Sequence, residues 1–323
     1  MFLSYFNLKE QPFGVTPDPR FLYLSAAHRE ALASLYYGIE SNRGFVGLIA
    51  KPGMGKTTIL FHLLATFRNS ARTAFIFQTQ CNSRELMRTL LAELGSENEA
   101  EDLLQMHERF NKLLLQVART GRRLILVIDE AQNLEASVLE TVRLLSNFET
   151  PRAKLMHIVL SGQPQLADKL ASPNLVQLRQ RVSIIHGLEP LSNGEIQNYI
   201  EHRLRVAGHT GPALFTDQAY EKIANFSDGI PRNVNNVCFN ALSLACATHT
   251  ATVNEHIVDE VLDDLDIEKW TSAAESARET SVPALNGNGL KTDLRVTEPS
   301  AISTPAEAAA FMKQFVADMK ARR

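Results

Sequence analysis

A glycine-rich loop between a short apolar run and a helical pattern constrains this chain more than any other feature. Residues 45–49 are apolar and predict a buried strand, and the residues after the loop have the spacing of a helix. The loop is typical of phosphate binding and reads, in order, Ala50, Lys51, Pro52, Gly53, Met54, Gly55, Lys56, Thr57 and Thr58. Its two glycines let successive backbone N–H groups curve round a phosphate, and the helix N-terminus adds a positive dipole. A strand, this loop and a helix in succession therefore predict nucleotide binding in an α/β fold.

Two side chains of the loop have predicted tasks. Lys56 is expected to reach the β- and γ-phosphates, and the Thr57 hydroxyl is expected to bind Mg²⁺. The usual first residue of such a loop is glycine, whereas this chain has Ala50. Because that position lies at the strand end, where the backbone is extended, a Cβ is tolerated there.

A second apolar run, residues 123–128, ends in the acids Asp129 and Glu130 and has the pattern of a Walker B strand. Asp129 is expected to hold Mg²⁺, directly or through water, and Glu130 to polarise the water that attacks the γ-phosphate. Two acids after a strand could instead begin a turn or cap the next helix. With the phosphate loop present we favour the metal and catalytic roles, and the carboxylate of Glu130 indicates hydrolysis rather than nucleotide storage.

Composition narrows the protein class further. The chain has 323 residues, of which 45% are hydrophobic, enough for two domains and an appendage. A net charge of −3 argues against a protein that coats nucleic acid by bulk charge, although the net charge does not exclude local basic surfaces. No apolar stretch reaches the roughly 18 residues that a membrane span needs, and the amino terminus lacks a signal pattern. We therefore expect a cytoplasmic protein without a transmembrane segment, with peripheral attachment to the inner membrane left open.

Strand and helix patterns alternate up to about residue 190, which predicts a five-stranded parallel αβα core. From residue 192 onward strand patterns stop and amphipathic helices follow, which predicts a small all-α lid. Strands are expected at residues 45–49, 73–78, 123–128, 155–160 and 182–186. The predicted domains are an amino-terminal segment on the nucleotide site (1–40), the core (41–190), the lid (191–268), a flexible linker (269–303) and an amphipathic C-terminal helix (304–323).

The predicted tail is a linker followed by a capped helix. Beyond about residue 270 the composition shifts to Ser, Thr, Ala, Gly, Asn and Pro without an apolar period. Thr304 to Glu307 then has the residue order of a capping box with proline at the first helical position. An apolar stripe containing Phe311 and Phe315 follows. Such a helix is expected to dock on its own fold or on a protein partner, and binding to a membrane surface is the less favoured alternative.

Several segments of the chain have distinctive sequences. The most specific are PDPRFLYLS at residues 17–25, LLSNFET at 144–150 and GQPQL at 162–166, and others lie at 5–8, 12–13, 28–32 and 177–182. Together these segments resemble the general secretion pathway protein A family, the ExeA-type AAA+ ATPases. The resemblance covers residues 1 to about 265. Longer members of that family carry a membrane helix and a peptidoglycan-binding domain after the ATPase core, and this chain resembles a short form without them.

The resemblance implies roles for residues outside the two nucleotide motifs. An arginine finger, which reaches the γ-phosphate of a neighbouring subunit, is expected at Arg179 or Arg181, with Arg181 preferred because it lies closer to the last core strand. Arg232, at the start of a lid helix, matches the arginine that couples lid angle to nucleotide. The polar residue that positions water is expected at Ser161 or Gln163, of which Gln163 is the better hydrogen-bonding group. Residues 13–16 and His28 are candidates for adenine contact, with packing against the core as the alternative.

Three function classes follow from these patterns. The preferred one is an oligomeric ATPase motor or switch that uses ATP and Mg²⁺ in an envelope secretion, pilus or exopolysaccharide assembly system, as the resemblance implies. The second is a DNA-transaction ATPase of the transposition-regulator kind, and the third is a nucleotide-gated scaffold. The expected partners are further copies of this chain, with the finger acting in trans, and an unidentified protein bound through the C-terminal helix.

Overall fold

The computed structural model describes residues 2–77, 79–96, 102–147, 149–150 and 153–265. All of them belong to one unit, Met1–Leu265. The predicted linker and C-terminal helix, residues 269–323, lie outside the described residues.

Strands and helices alternate through the first two thirds of this unit. The strands are β1 (Phe45–Ile49), β2 (Ala71–Ile76), β3 (Arg123–Ile128), β4 (Glu149–Thr150), β5 (Ala153–Lys154), β6 (Met156–Gly162) and β7 (Val182–Gly187). The helices are α1 (Phe2–Tyr5), α2 (Ala26–Glu40), α3 (Lys56–Thr66), α4 (Ser83–Glu93), α5 (Leu103–Arg119), α6 (Ala136–Leu145), α7 (Pro164–Ala171), α8 (Val176–Arg179), α9 (Asn193–Val206), α10 (Asp217–Ser227), α11 (Pro231–Ala247) and α12 (Glu255–Leu265).

Five of the strands form one parallel sheet in the order β2-β3-β6-β1-β7. The central strands β3 and β6 are buried along nearly their whole length, which explains their continuous apolar sequences. In the sheet Ile49 pairs with Gly162, and Ile128 pairs with Leu160. The carboxyl ends of β1, β3 and β6 therefore meet at one edge, and this edge carries the phosphate loop, the two acids and the candidate water-positioning residues.

The predicted parallel αβα core is confirmed, and the differences concern element ends. Strand β2 begins at Ala71, two residues before the predicted start, because an alternating start with exposed Arg72 hides the strand pattern. Helix α6 ends at Leu145, where Ser146 caps it. The antiparallel pair β4–β5 was not predicted, since two residues per strand give no readable period.

The lid contains α9 to α12, as the helical patterns predicted. Its apolar core also takes up side chains from the first 21 residues of the chain, namely Phe2, Phe6, Leu8, Phe13 and Phe21. The backbone N–H of Lys9 donates to the Ala207 carbonyl at 2.8 Å. Helix α2, in contrast, packs against β1 and β7 of the sheet. Residues 1–40 are thus shared between lid and core, and the domain boundaries at 40, 190 and 268 stay predictions.

Within the described ranges, none of the helices combines the length and the apolar character that crossing a membrane requires.

Candidate active site

The phosphate loop follows β1 directly and contains two residues in the left-handed backbone region. Gly53 has φ +81° and Gly55 has φ +85°, angles that side-chain-bearing residues rarely adopt. Gly55 precedes the first residue of α3, so the loop leads straight into a helix N-terminus. The conformation is the one that the two glycines of the sequence predicted.

Lys56 is the first residue of α3 and is buried. Its Nζ donates to the carbonyl oxygens of Ala50 at 3.0 Å and Lys51 at 3.3 Å. Burial lowers the pKa of Lys56, the neighbouring Glu130 and Asp129 act in the opposite sense, and Arg232 lowers it further. The ammonium group is therefore held inside the loop, opposite the two acids.

Asp129 lies at the end of β3 and is 4% exposed. Its Oδ2 accepts a hydrogen bond from Thr57 Oγ1 at 2.6 Å, and its Oδ1 accepts one from Ser161 Oγ at 2.7 Å. The backbone N–H of Glu130 also donates to Oδ1, at 3.0 Å. Mg²⁺ takes oxygen ligands and is commonly bound through one or two carboxylates together with substrate phosphates. The adjacent hydroxyl and carboxylate oxygens of Thr57 and Asp129 fit such an ion.

Glu130 has a left-handed backbone conformation, with φ +52°, and its side chain has different partners from that of Asp129. Its Oε2 accepts hydrogen bonds from Gln132 Nε2 at 2.7 Å and from Gln163 Nε2 at 3.0 Å. The structure thus gives the two water-positioning candidates different partners, since Ser161 is fully buried against Asp129 and Gln163 reaches Glu130. The sequence analysis did not select Gln132, and only the three-residue turn at Ala131–Asn133 brings it back toward Glu130.

The lid touches the phosphate loop at Gly53. The backbone N–H of Arg232 donates to the Gly53 carbonyl at 3.2 Å. A Cβ at position 53 would lie 2.8 Å from Arg232 Cβ and 3.0 Å from Ile230 Cγ2. The first turn of α11 therefore rests on the loop, and Arg232 faces the same space as Lys56.

A cleft of about 360 Å³ lies between loop, core and lid. The sequence analysis missed four lid residues that line it, because polar positions on an amphipathic helix are expected to face solvent. Tyr199 Oη donates to Asn235 Oδ1 at 2.8 Å, and Arg203 Nη1 donates to Tyr199 Oη at 3.1 Å. The lining comprises Gly14, Val15, Thr16, Pro17 and Asp18, the loop residues Pro52 to Thr58, Glu130, Gln163, Tyr199, Arg203, Pro231, Arg232, Asn235 and Asn236.

The two candidates for adenine contact behave differently. Gly14 to Thr16 line the cleft, whereas Phe13 is buried in the lid core. His28 is buried under the phosphate loop, where Nδ1 lies 2.6 Å from Ser25 Oγ and the ring makes a backbone hydrogen bond with Met54. Burial lowers the pKa of His28, so the ring is neutral at pH 7. His28 therefore packs against the phosphate loop and does not line the cleft.

The two finger candidates lie away from the cleft of their own chain. Arg181 is half-buried, and its Nη1 donates to Ser146 Oγ at 2.8 Å. Arg179 is exposed at the end of α8, with Nη1 3.5 Å from the Ala171 carbonyl. Neither lines the cleft.

Comparisons with known proteins point to one superfamily. Residues 39–170 match a family described as an AAA domain. The chain is 38% identical over 248 residues to general secretion pathway protein A of Aeromonas hydrophila, a match that covers 76% of this chain and 45% of that protein. The chain thus spans less than half the length of this relative.

Solved structures give the same result for the fold. The ADPNP-ADP complexes of Aeropyrum pernix ORC2 superpose with a TM-score of 0.60 at 15% identity, covering 79% of this chain and 71% of that chain. Drosophila ORC bound to DNA superposes with a TM-score of 0.61 at 18% identity, covering 82% of this chain and 66% of that chain. At these identities the likeness concerns the fold alone.

Proposed function

The chain is an AAA+ P-loop protein related to general secretion pathway protein A, and on this premise we propose that it binds Mg-ATP and hydrolyses it to ADP and phosphate. The observation that carries the proposal is the convergence of four groups on one cleft. Lys56, the Thr57–Asp129 pair, Glu130 with its two amide donors, and Arg232 meet at the carboxyl edge of the sheet; they lie on the phosphate loop, after β3, after β6 and at the start of α11. A binding site for storage would not need the carboxylate of Glu130 at that place.

The proposed reaction uses each group once. Lys56 exchanges its loop carbonyl partners for oxygens of the β- and γ-phosphates. Mg²⁺ held by Thr57 and Asp129 would neutralise charge on the phosphates. Glu130 takes a proton from water while the water oxygen bonds to the γ-phosphorus, and the bond from that phosphorus to the β–γ bridging oxygen breaks. ADP leaves with the bonding electron pair.

Two arginines have roles in the proposed hydrolysis. Arg232 binds the γ-phosphate from the lid and so makes the lid position depend on the nucleotide, which its backbone bond to Gly53 supports. Arg181, or Arg179 in its place, stabilises transition-state charge in a neighbouring subunit, which requires a homo-oligomer. The proposed setting is an envelope secretion, pilus or exopolysaccharide assembly system, and the name of the Aeromonas relative, general secretion pathway protein A, supports the first of these.

Two variants test the chemistry. Lys56→Ala should lower ATP affinity at least about 100-fold, because the buried ammonium is the main cationic partner of the phosphates. Glu130→Gln should keep ATP affinity and lower turnover at least about 100-fold, because it removes the base and keeps the shape. Equilibrium binding of a fluorescent ATP analogue and phosphate release measure the two effects. Lys112→Ala and Glu108→Gln, both on the exposed side of α5, serve as matched controls.

Equal affinity of Lys56→Ala and wild type for ATP would contradict the proposal. Turnover that rises severalfold only with duplex DNA would favour the DNA-transaction alternative. ATP-dependent binding to a partner with no measurable turnover in any oligomeric state would favour the scaffold alternative.

A further inference from the structure

Gln132 lies between two groups of the candidate active site without lining the cleft itself. Its Nε2 donates to Glu130 Oε2 at 2.7 Å, and its Oε1 accepts the backbone N–H of Gln163 at 3.0 Å. Its own backbone carbonyl accepts a hydrogen bond from Lys169 Nζ, which also binds the Leu134 carbonyl at 2.7 Å. The side chain thus connects the end of β3 to the start of α7.

The carboxamide of Gln132 has one usable orientation. A carboxylate can only accept and a backbone N–H can only donate, so exchanging the amide oxygen and nitrogen would break both hydrogen bonds. The space is matched as well, because a Cβ at Gly162 would come within 2.6 Å of Gln132 Oε1. Glycine at the end of β6 leaves room for this amide and for little else.

This arrangement distinguishes the two oxygens of Glu130. Oε2 accepts both amide donors, from Gln132 and Gln163, while Oε1 accepts no hydrogen bond from the part of the chain that the structure describes. A base needs one oxygen free for the proton that it removes. The side chain of Gln163 reaches the cleft and can also contact substrate, whereas Gln132 acts through Glu130 alone.

We infer that Gln132 is a positioning residue for the catalytic base: it binds Glu130 Oε2 and thereby directs Oε1 toward the attacking water. The inference rests on the proposed ATP hydrolysis by Glu130. It also explains why the amide reaches the backbone of Gln163, since this bond makes the base and the candidate water-positioning residue move together.

Gln132→Glu is the decisive variant because it keeps size and shape and replaces the amide donor with a second carboxylate. Turnover at pH 7 should fall at least about tenfold, because Glu130 Oε2 is repelled instead of held. The KM for ATP should stay within about twofold, because Gln132 does not line the cleft. The acid limb of the turnover–pH profile should move up by about one pH unit, because the negative charge of the new carboxylate raises the pKa of the neighbouring Glu130 in this variant.

Two further variants separate positioning from folding. Gln132→Ala removes both hydrogen bonds without adding charge, so turnover should fall and the acid limb should move up by less than it does in Gln132→Glu. Gln197→Glu is the matched control, because Gln197 Nε2 donates to Glu201 Oε1 at 3.2 Å on the exposed side of α9. This control should change neither turnover nor the pH profile. Thermal unfolding and ATP binding are measured for all three variants.

The outcomes distinguish this inference from the function on which it rests. Wild-type turnover and an unshifted pH profile in Gln132→Glu, with Glu130→Gln inactive, would overturn the role of Gln132 alone. A raised KM with unchanged kcat would do the same, because it would mean a role in ground-state binding. Absence of Mg-ATP turnover in the wild type, in any oligomeric state, would overturn the proposed function and the inference together.

Discussion

Asp129 and Glu130 are neighbours in the chain, yet their carboxylates serve different surroundings. The left-handed backbone at Glu130 separates them, sending Asp129 toward two hydroxyl groups and Glu130 toward two amides. A non-glycine residue in this region costs of order 1–3 kcal/mol. A carboxylate surrounded by hydroxyl oxygens suits a cation, and a carboxylate bound by amides suits a base with one free oxygen. The strained residue therefore divides two chemical tasks within one dipeptide.

A buried histidine elsewhere in the sheet predicts a pH dependence of stability. His157 lies on β6, and burial, with Arg123 and Lys154 adding to it, lowers the pKa of His157 to about 4. In the unfolded chain that pKa is about 6.5. The folded state therefore binds the proton less readily, so the stability contribution is present above pH 6.5 and is lost as pH falls from about 6.5 to about 4. Between pH 7 and pH 5 this loss should be about 2 kcal/mol.

Denaturant unfolding at both pH values checks this prediction. His157→Leu should lose less free energy of unfolding between pH 7 and pH 5 than the wild type does. His256→Leu, at an exposed position of α12, should keep the wild-type pH dependence. Identical pH dependence in the two variants would show that His157 is not the responsible group.

At the residue scale the sequence identified the phosphate loop and the two acids, but it did not predict the contacts among the side chains of the candidate site. The loop and the two acids are recognisable because their residue types and spacing are contiguous. Ser161 and Gln163 could not be distinguished, since their roles depend on which carboxylate each one meets across the sheet. Gln132 was not recognised as a site residue for the same reason, because nothing in Glu-Ala-Gln indicates a turn that brings the amide back to the acid.

At the scale of elements, α11 and the phosphate loop meet at a position that tolerates no side chain. Gly53→Ala should lower nucleotide affinity at least about tenfold, because the new methyl group would push Arg232 and Ile230 off the loop. Gly121→Ala is the matched control. Gly121 also has positive φ, +72°, but nothing lies within 4 Å of its Cβ position. It should lose about 1–2 kcal/mol of stability and no affinity.

Equilibrium nucleotide binding and hydrogen exchange in α11 measure the effect of Gly53→Ala. Faster exchange at the start of α11, in this variant but not in Gly121→Ala, would locate the change at the contact between lid and loop. If both variants bind nucleotide as the wild type does, the contact has no part in binding.

Long elements with a regular apolar period were predicted well, whereas the amino-terminal segment, which packs on both lid and core, was not. The lid helices have apolar spacing that can be recognised without tertiary information, so an all-α region after residue 192 was predicted correctly. The amino-terminal segment has no such period, since its aromatic residues enter the core of another element. Its division between lid and sheet depends on contacts with residues almost 200 positions away, such as Arg203 Nε with the Pro12 carbonyl at 2.6 Å.

For the whole molecule, the placement of the finger candidates predicts complementation between subunits. Arg181→Ala and Glu130→Gln should each lack turnover, while an equal mixture should regain it at about a quarter of the interfaces if the subunits mix at random. Only an interface that combines an intact Glu130 with a neighbour's intact Arg181 is active. Phosphate release across mixing ratios measures the recovery.

Arg179→Ala, mixed in the same way, decides between the two arginines. Arg179 is the more exposed, and Arg181 would first have to leave Ser146. Loss of turnover in Arg179→Ala alone and its recovery on mixing with Glu130→Gln, together with unchanged turnover of Arg181→Ala alone, would assign the finger to Arg179. No recovery in either series, with mixed oligomers demonstrated by cross-linking, would exclude action in trans.

The amino-terminal segment gives the lid a second connection to the core, because it packs non-covalently on the lid helices and continues along the chain into α2. The chain passes between the two parts once at residues 188–192 and once near Ala26, whose N–H donates to Glu195 Oε1 at 3.0 Å. Since this bond reaches the first turn of α9, the two crossings lie side by side. A rigid body that is attached at two neighbouring points can still rotate about the line through these points. We therefore expect the lid to swing over the cleft about this line, and a cut at either crossing alone should leave the lid attached through the other crossing and the apolar packing of residues 2–21.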